Sequence, residues 1–208
     1  MNFNLFISKI QQLKNSRLGG LDAQFRLAPK MRLNYNHKKI KANNPKKAAV
    51  LALFYPNEEN ETCFLLTQRA SYNGTHSAQI SFPGGKLEAT DQNLESTALR
   101  ETFEEVGIQQ KTVTILREIT DVYIPPSNFL ATPFMGYTSK KPEFIINDEV
   151  AETIEVLLTD LLNDCNISSI NISTSYAKNI DVPCFNLNDY NVWGATAMIL
   201  NEIKELLK

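Results

Sequence analysis

Three acidic side chains lie close together near the end of one polar segment, at Glu101, Glu104 and Glu105. On a helix, residues three and four apart share a face, so these carboxylates repel one another, and acids in a last turn also oppose the helix dipole. No lysine lies between Lys86 and Lys111 to neutralise them. The cluster has the oxygen ligands that a hard divalent ion such as Mg²⁺ or Mn²⁺ needs, although a solvated charged face would show the same pattern.

Residues 94–106, which carry the acids, have the features of a helix. They contain no proline or glycine, Asp91 or Asn93 can cap the start, and Gly107 is a typical stop signal. Helical spacing predicts a side that faces the core and an opposite side that holds Thr97 with the three glutamates. The residues predicted to face the core are Leu99, Thr102, Phe103 and Val106.

A turn precedes this helix and strengthens the metal interpretation. Phe82-Pro83-Gly84-Gly85 can bring the backbone close to a substrate, because glycine tolerates positive φ and has no side chain. Together the turn and the helix resemble the Nudix box. The matching residues are Gly85, Asp91, Arg100, Glu101, Glu104, Glu105, Gly107 and Ile108. The chain departs from the box at three points: Asp91 stands for Glu, one extra residue precedes Arg100, and Thr102 replaces an aliphatic residue.

The Nudix resemblance implies a fold, a cofactor and a set of roles. The implied fold is α+β, with a mixed β-sheet sandwiched between α-helices. The implied cofactor is Mg²⁺ or Mn²⁺, held by Glu101, Glu104 and Glu105, which are also implied as catalytic residues. Arg100 completes the implied catalytic set, because the arginine of the box orients one of the glutamates.

Residues 65–69 and 78–85 resemble a second motif, which marks coenzyme A pyrophosphatases among Nudix enzymes. Here it reads Leu-Leu-Thr-x-Arg and then Ala-Gln-Ile-Ser-Phe-Pro-Gly-Gly, with departures from the motif at Ala70, Gly74 and Ala78. The resemblance implies cleavage of the diphosphate of coenzyme A, or of an acyl derivative, to 3′,5′-ADP and 4′-phosphopantetheine. The residues predicted to bind this substrate are Arg69, His76, Gly84, Gly85 and Lys86.

Several alternatives stay open from the sequence. The same chemistry on ADP-ribose or another nucleoside diphosphate derivative is the nearest one, and a Nudix module that binds a nucleotide without hydrolysing it belongs to another class. The general base is Glu104, another acid of the box, or one of Glu149 and Glu152, which are more simply explained as surface acids. For His76, a loop histidine bonded to the backbone explains the residue nearly as well as a phosphate contact.

The remaining sequence predicts one enzyme domain with a helical extension. Residues 1–45 are predicted to form the extension and a lysine-rich linker, and residues 46–208 the Nudix domain with its C-terminal helix. Apolar residues at helical spacing in the first 13 positions predict an amphipathic helix that packs on the domain or on a second subunit, so a homodimer is one assembly to expect. These residues are Phe3, Phe6, Ile7, Ile10 and Leu13.

The distribution of apolar and β-branched residues predicts the other elements. Strands are expected at 48–55, 62–68, 113–123 and 130–138, whereas 150–162 mixes strand and helix signals. Residues 163–185, rich in Asn, Ser and Ile, are predicted to be an irregular binding loop or lid. The last segment is predicted to be an amphipathic helix, with Trp193 as a packing anchor at its start.

Composition limits the class of protein and its partners. With 43% hydrophobic and 21% charged residues, a net charge of −2 and a pI near 5.8, nothing indicates nucleic-acid binding. Three cysteines without C-x-x-C spacing predict neither a disulfide framework nor a zinc site. The first residues lack the pattern of a signal peptide. We therefore expect a cytoplasmic enzyme that acts on a small-molecule diphosphate and has no nucleic-acid or membrane partner.

Overall fold

The computed structural model describes residues 1–70, 79–174 and 177–208. Within these ranges the helices are α1 (Phe3–Leu13), α2 (Gly20–Phe25), α3 (His37–Ala42), α4 (Leu94–Val106), α5 (Leu158–Leu162) and α6 (Gly194–Leu207). The strands are β1 (Lys46–Pro56), β2 (Thr62–Arg69), β3 (Ile80–Ser81), β4 (Gly84–Lys86), β5 (Thr114–Glu118), β6 (Val122–Ile124), β7 (Phe129–Tyr137), β8 (Val150–Leu157), β9 (Ile167–Thr174), β10 (Ala177–Leu187) and β11 (Tyr190–Trp193). Short 3₁₀ helices cover Lys30–Asn34, Gln110–Thr112, Pro125–Ser127 and Asp164–Asn166.

A mixed sheet is the centre of the fold. Strand β1 pairs in parallel with β7 and antiparallel with β2, while β8 pairs antiparallel with β2. Strands β5 and β6 both pair antiparallel with β7. Because β1 and β2 are joined by a short turn, their antiparallel pairing needs no crossover, whereas the parallel β1–β7 pair encloses α4 in its connection.

The sheet forks between β1 and β2, and the fork holds the predicted turn. Near the hairpin end the two strands pair directly, with Phe54 opposite Phe64. Farther along, β4 pairs with β1, with Gly84 opposite Val50, and β3 pairs with β2. The Leu51 N–H also donates to the Pro83 carbonyl at 3.0 Å. The Pro-Gly-Gly turn is therefore fixed inside the sheet by backbone hydrogen bonds.

Apolar side chains cover both faces of the sheet. On one face, Leu51, Leu53 and Leu65 pack in one buried cluster with Ala98 and Val106 of α4. On the other face, a larger cluster joins the sheet to α1, α5 and α6; its members include Phe6, Phe54, Phe64, Leu161 and Ile203. This arrangement confirms the predicted α+β fold, a mixed sheet between helices.

The N-terminal helix α1 packs on the same chain's sheet. Asn2 caps it, Phe3 N–H donates to the Asn60 carbonyl at 2.9 Å, and Phe3, Phe6 and Ile10 are buried. The Phe6 and Phe54 rings lie 4.9 Å apart. The lysine-rich stretch is not a plain linker, because α3 occupies its first part and β1 already begins at Lys46. The boundary between extension and domain stays a prediction.

One segment differs from the sequence interpretation, and a second explains why its signals were mixed. In its described part, the segment 163–185 is not an irregular loop: β9 pairs antiparallel with β10, and β11 pairs with β10 to give a three-stranded sheet. Ile alternates with polar residues over 169–173 of β9, a strand period that the high Asn and Ser content concealed. The ambiguous residues 150–162 are a strand followed by a helical turn, β8 and α5. Along the described stretches, no helix has both the length and the apolarity needed to cross a membrane.

Candidate active site

Helix α4 begins and ends at strong local signals. Asn93 is its N-cap and forms a reciprocal capping box with Ser96, whose side chain accepts from the Asn93 N–H at 3.0 Å. Gly107 ends the helix in the left-handed region, with φ at 77°. Of the two predicted caps, Asn93 is therefore the one used, which leaves the Asp91 carboxylate available for another partner.

The predicted orientation of α4 was wrong for several residues. Phe103, expected in the core, is 42% exposed, whereas Thr97 and Glu105, expected on the outer side, are buried. Thr102 and Val106 are buried as predicted. The helix turns part of its acidic side towards the fork in the sheet, where Gly84 and Gly85 have no side chains to exclude it. Apolar periodicity cannot reveal such a rotation, because the buried stripe contains an acid.

The two glycines make room for two glutamates. At Gly85, an added Cβ would lie 2.5 Å from the carboxylate of Glu101, which is closer than atoms can approach. At Gly84, the backbone N–H donates to Glu105 Oε2 at 3.2 Å, and φ is 153°. The turn therefore holds one carboxylate by a hydrogen bond and admits the other by the absence of a side chain.

Arg100 connects the acids on the outer side of the site. Its Nε and Nη2 each donate to Asp91 at 2.9 Å, and its Nη1 lies 2.9 Å from Glu104 Oε2 and 3.0 Å from Glu101 Oε1. Nη2 also donates to the Lys86 carbonyl at 3.1 Å. Hydrogen bonds from Arg100 lower the pKa of the Asp91 carboxyl well below its usual range. Asp91 thus keeps Arg100 in place although it is shorter than the usual glutamate.

Arg69 and Glu149 complete the inner side of the site. Arg69 Nη1 lies 3.6 Å from Glu105 Oε1, and Nη2 donates to Glu149 Oε2 at 3.4 Å. Burial raises the pKa of Glu105 to about 7, opposed by Arg69 and the Gly84 N–H. Burial also raises the pKa of Glu101, and the Glu104 and Glu149 charges add to that increase.

Glu149 reaches the site because the segment before β8 is tied to the end of α4. Ile145 N–H donates to the Val106 carbonyl at 3.0 Å, and Asn147 N–H donates to the Glu105 carbonyl at 3.1 Å. Glu149 is a surface acid, as the simpler explanation holds, with a side chain that is 65% exposed, and it also lies beside Arg69 at the edge of the site. Glu152 instead accepts from the Tyr190 hydroxyl at 2.6 Å, away from the glutamates of the box.

The acids fit a divalent ion by ligand type and charge. Carboxylate oxygens are preferred ligands of Mg²⁺ and Mn²⁺. Burial and repulsion raise the pKa of Glu101 and Glu105, and the charge of a bound cation would oppose both effects. Within the described ranges, no three acidic, histidine or cysteine side chains are arranged to hold a metal ion as they stand. Arg100 engages Glu101 and Glu104, and the Gly84 N–H engages Glu105.

A cavity of about 330 Å³ opens beside the turn. Its lining includes Arg69, Gly84, Gly85 and Lys86, so the structure brings together four of the five residues predicted to bind substrate. The fifth, His76, lies outside the described residues. Residues from distant parts of the chain also line the cavity, among them Arg32 and Phe129, which the sequence did not indicate, and Trp193, which was predicted as a packing anchor. Trp193 is the N-cap residue of α6, at the start of the helix as predicted, and it is half-buried with part of its side chain facing the cavity.

Comparison with known proteins decides the family. A sequence model of the NUDIX domain matches residues 45–164, which is more than half of the chain. The chain belongs to the Nudix family. The protein named uncharacterized Nudix hydrolase NudL in Yersinia pestis (strain Pestoides F) is 34% identical over 146 residues, which cover 70% of this chain and 72% of that relative. NudL of Yersinia pseudotuberculosis serotype O:1b (strain IP 31758) matches with the same identity and coverage.

A solved structure supports the same assignment at the level of the fold. The MutT/nudix family protein from Enterococcus faecalis aligns with a TM-score of 0.52 and 17% identity, covering 76% of this chain and 60% of that protein. As a Nudix hydrolase, the protein acts on phosphoric anhydrides, and enzymes of this family generally use divalent metal ions. The Nudix resemblance of the sequence is thereby confirmed.

Proposed function

We propose that this Nudix hydrolase cleaves the diphosphate of coenzyme A or of an acyl-coenzyme A to 3′,5′-ADP and (acyl-)4′-phosphopantetheine. The observation that carries the proposal is the position of Arg69. This residue belongs to the motif that resembles coenzyme A pyrophosphatases, and it lies between Glu105, Glu149 and the cavity beside the Pro-Gly-Gly turn. In the second half of that motif, residues 78–85, Phe82, Gly84 and Gly85 line the same cavity.

The proposed cofactor is Mg²⁺ or Mn²⁺, with Glu101, Glu104 and Glu105 as its ligands. When bound, such an ion neutralises the charge of a diphosphate, polarises its phosphoryl oxygens and lowers the pKa of a water molecule. Arg100 positions two of these ligands, since one nitrogen contacts both Glu101 and Glu104.

The other residues of the site contact the substrate directly. Arg69 and Lys86 line the cavity and supply positive charge for phosphate oxygens. Gly84 and Gly85 line the cavity and present only backbone atoms of their own to a phosphate. An exposed carboxylate at the edge of the site, Glu104 or Glu149, accepts the proton of the attacking water; both are at least half exposed.

Product analysis by mass spectrometry tests the proposal. The purified protein is incubated with Mg²⁺ or Mn²⁺ and, separately, with coenzyme A, acetyl-coenzyme A, ADP-ribose and NADH. The expected result is metal-dependent release of 3′,5′-ADP and 4′-phosphopantetheine, abolished in E101Q and kept in E95Q, an exposed glutamate in the first turn of the same helix. Cleavage of ADP-ribose or NADH alone would show that the substrate is that compound and not coenzyme A. Binding without cleavage of any compound would favour the nucleotide-binding module.

A further inference from the structure

A second cavity, of about 300 Å³, adjoins the one beside the Pro-Gly-Gly turn. The two cavities share three lining residues, Arg32, Pro126 and Trp193, so they lie side by side. The volume lies at the lower end of the range for small-molecule pockets, roughly 300–1,000 Å³. A ligand whose diphosphate lay at the turn could therefore extend past Trp193 into the second cavity.

The walls of the second cavity come from outside the region that matches the NUDIX domain, apart from one turn. The segment 29–35 supplies four residues and Trp193 a fifth, whereas the matching region, 45–164, supplies Pro125 and Pro126. This segment is fixed in place: Arg32 Nη1 donates to the Tyr123 carbonyl at 3.2 Å, and the rings of Tyr35 and Tyr123 lie 5.1 Å apart. The second cavity is thus a structured feature that this chain adds to the domain.

The lining of the second cavity is mainly apolar. Five of its seven residues have apolar or largely apolar side chains: Pro29, Met31, Pro125, Pro126 and Trp193. Met31 is 41% exposed, so its apolar side chain is accessible to a ligand in this cavity. A purine base needs convergent hydrogen-bond groups, whereas an alkyl chain needs only apolar surface and space.

We propose that the second cavity binds the acyl chain of an acyl-coenzyme A whose diphosphate lies at the Pro-Gly-Gly turn. This inference rests on the proposed function and adds to it the part of the chain that selects the substrate. Burial of each methylene group strengthens binding by roughly fourfold. Long-chain thioesters should therefore bind more tightly than short ones, and residues 29–35 should determine the difference.

Fluorescence provides a test that does not depend on catalysis. Trp193 is the only tryptophan in the sequence, and it lines both cavities. The full-length protein in EDTA is titrated with acetyl-coenzyme A, decanoyl-coenzyme A and 3′,5′-ADP while Trp193 emission is recorded. We expect decanoyl-coenzyme A to bind at least about tenfold more tightly than acetyl-coenzyme A and to shift the emission to shorter wavelength, as expected when apolar surface is buried.

Two exposed residues of the same 3₁₀ helix give a matched pair of variants. Met31 lines the second cavity, whereas Leu33, 49% exposed, does not line it. The variant M31D should lose the tighter binding of decanoyl-coenzyme A relative to acetyl-coenzyme A, because the alkyl chain would meet a charge. The variant L33D should keep this difference in affinity. Both positions are exposed, so melting temperatures near that of the wild type are expected for both variants.

The outcomes separate this inference from the proposed function. Equal affinity for the two thioesters, no binding of either, or equal losses in M31D and L33D would overturn the acyl site. So would a shift of Trp193 emission by 3′,5′-ADP that M31D removes, because the nucleotide would then occupy the cavity. Tight, chain-length-dependent binding without any metal-dependent cleavage would instead refute only the proposed function. Cleavage of coenzyme A without chain-length dependence would refute only the acyl site.

Discussion

Glu105 is an acid on the buried side of a helix, where its charge disfavours folding. Burial raises its pKa from an ordinary value of 4.5 to about 7, so over this interval the folded protein binds a proton more readily than the unfolded chain does. Stability of the metal-free protein should therefore fall as pH rises from about 4.5 to 7, by the amount that deprotonation of this group costs.

The variant E105Q should remove that dependence. Glutamine keeps an acceptor for the Gly84 N–H but has no charge to desolvate. In EDTA at pH 8, we expect E105Q to be more stable than the wild type by about 1–3 kcal/mol, and at pH 4 the two should be nearly equal. Denaturant unfolding at both pH values measures the difference. A wild-type pH profile that E105Q reproduces unchanged would contradict this explanation.

Gly84 and Gly85 lie next to each other in β4 but have different roles. Gly84 has φ of 153°, and a Cβ there would lie 2.3 Å from the Ala49 carbonyl oxygen, so its role is structural. Gly85 has no such backbone strain, because its φ lies outside the left-handed region. Its added Cβ would meet the carboxylate of Glu101, a side chain that can move.

The variant G85A should therefore lose activity, whereas G84A should lose stability. We expect G85A to fold with a melting temperature close to that of the wild type but to lose about 100-fold in kcat, because a displacement of about 1 Å at a reacting group can have that effect. G84A should lose stability first. Thermal unfolding and initial rates measured on both variants decide the matter. If G85A kept full activity, the position of Glu101 over the turn would not matter for catalysis.

The sequence predicted the ends of α4 and the order of the main strands, because Asn93, Gly107 and the β-branched runs are local signals. It did not predict which side of α4 is buried. Phe103 matched the apolar stripe but is exposed, since the glutamates turn inward over two residues without side chains. The pairing of β9 with β10 was missed for a different reason: the Ser and Asn residues of these strands favour turns locally, and strand pairing overrides that preference.

At the scale of the whole molecule, the N-terminal helix belongs to the hydrophobic core. Phe6 is fully buried in the same cluster as Phe54 and Phe64 of the sheet. We therefore expect F6A to destabilise the protein by about 3–5 kcal/mol, as for other large aromatic residues removed from a core. Leu5, 60% exposed on the same helix, gives the control, and L5A should change stability by less than about 0.5 kcal/mol.

Urea unfolding of both variants measures the two changes. Equal, small effects would mean that α1 is a detachable extension, as the predicted boundary at residue 45 would allow. A large effect of F6A alone would mean that the domain requires residues before that boundary.

Contacts between distant parts of the chain account for what sequence reasoning could not predict about the site. Arg69 meets Glu149 across 80 positions, and both lie near acids of α4. Arg32 and Trp193, which line both cavities, are farther apart still. The box could be recognised because its residues are close in sequence. The contacts of Arg69 with Glu149, and of Arg32 and Trp193 with the cavities, depend instead on the packing of the sheet and α6.

We propose that the carboxylates of α4 around the Pro-Gly-Gly turn hold a divalent metal ion. The most direct measurement is a titration with Mn²⁺, followed by electron paramagnetic resonance, of the wild type, E101Q and E95Q. We expect E95Q to bind as the wild type does. E101Q should bind Mn²⁺ at least about 10-fold more weakly than the wild type. Even changes to groups that only orient a metal ligand typically weaken metal binding by about 10–100-fold. Equal binding by all three proteins would contradict the claim.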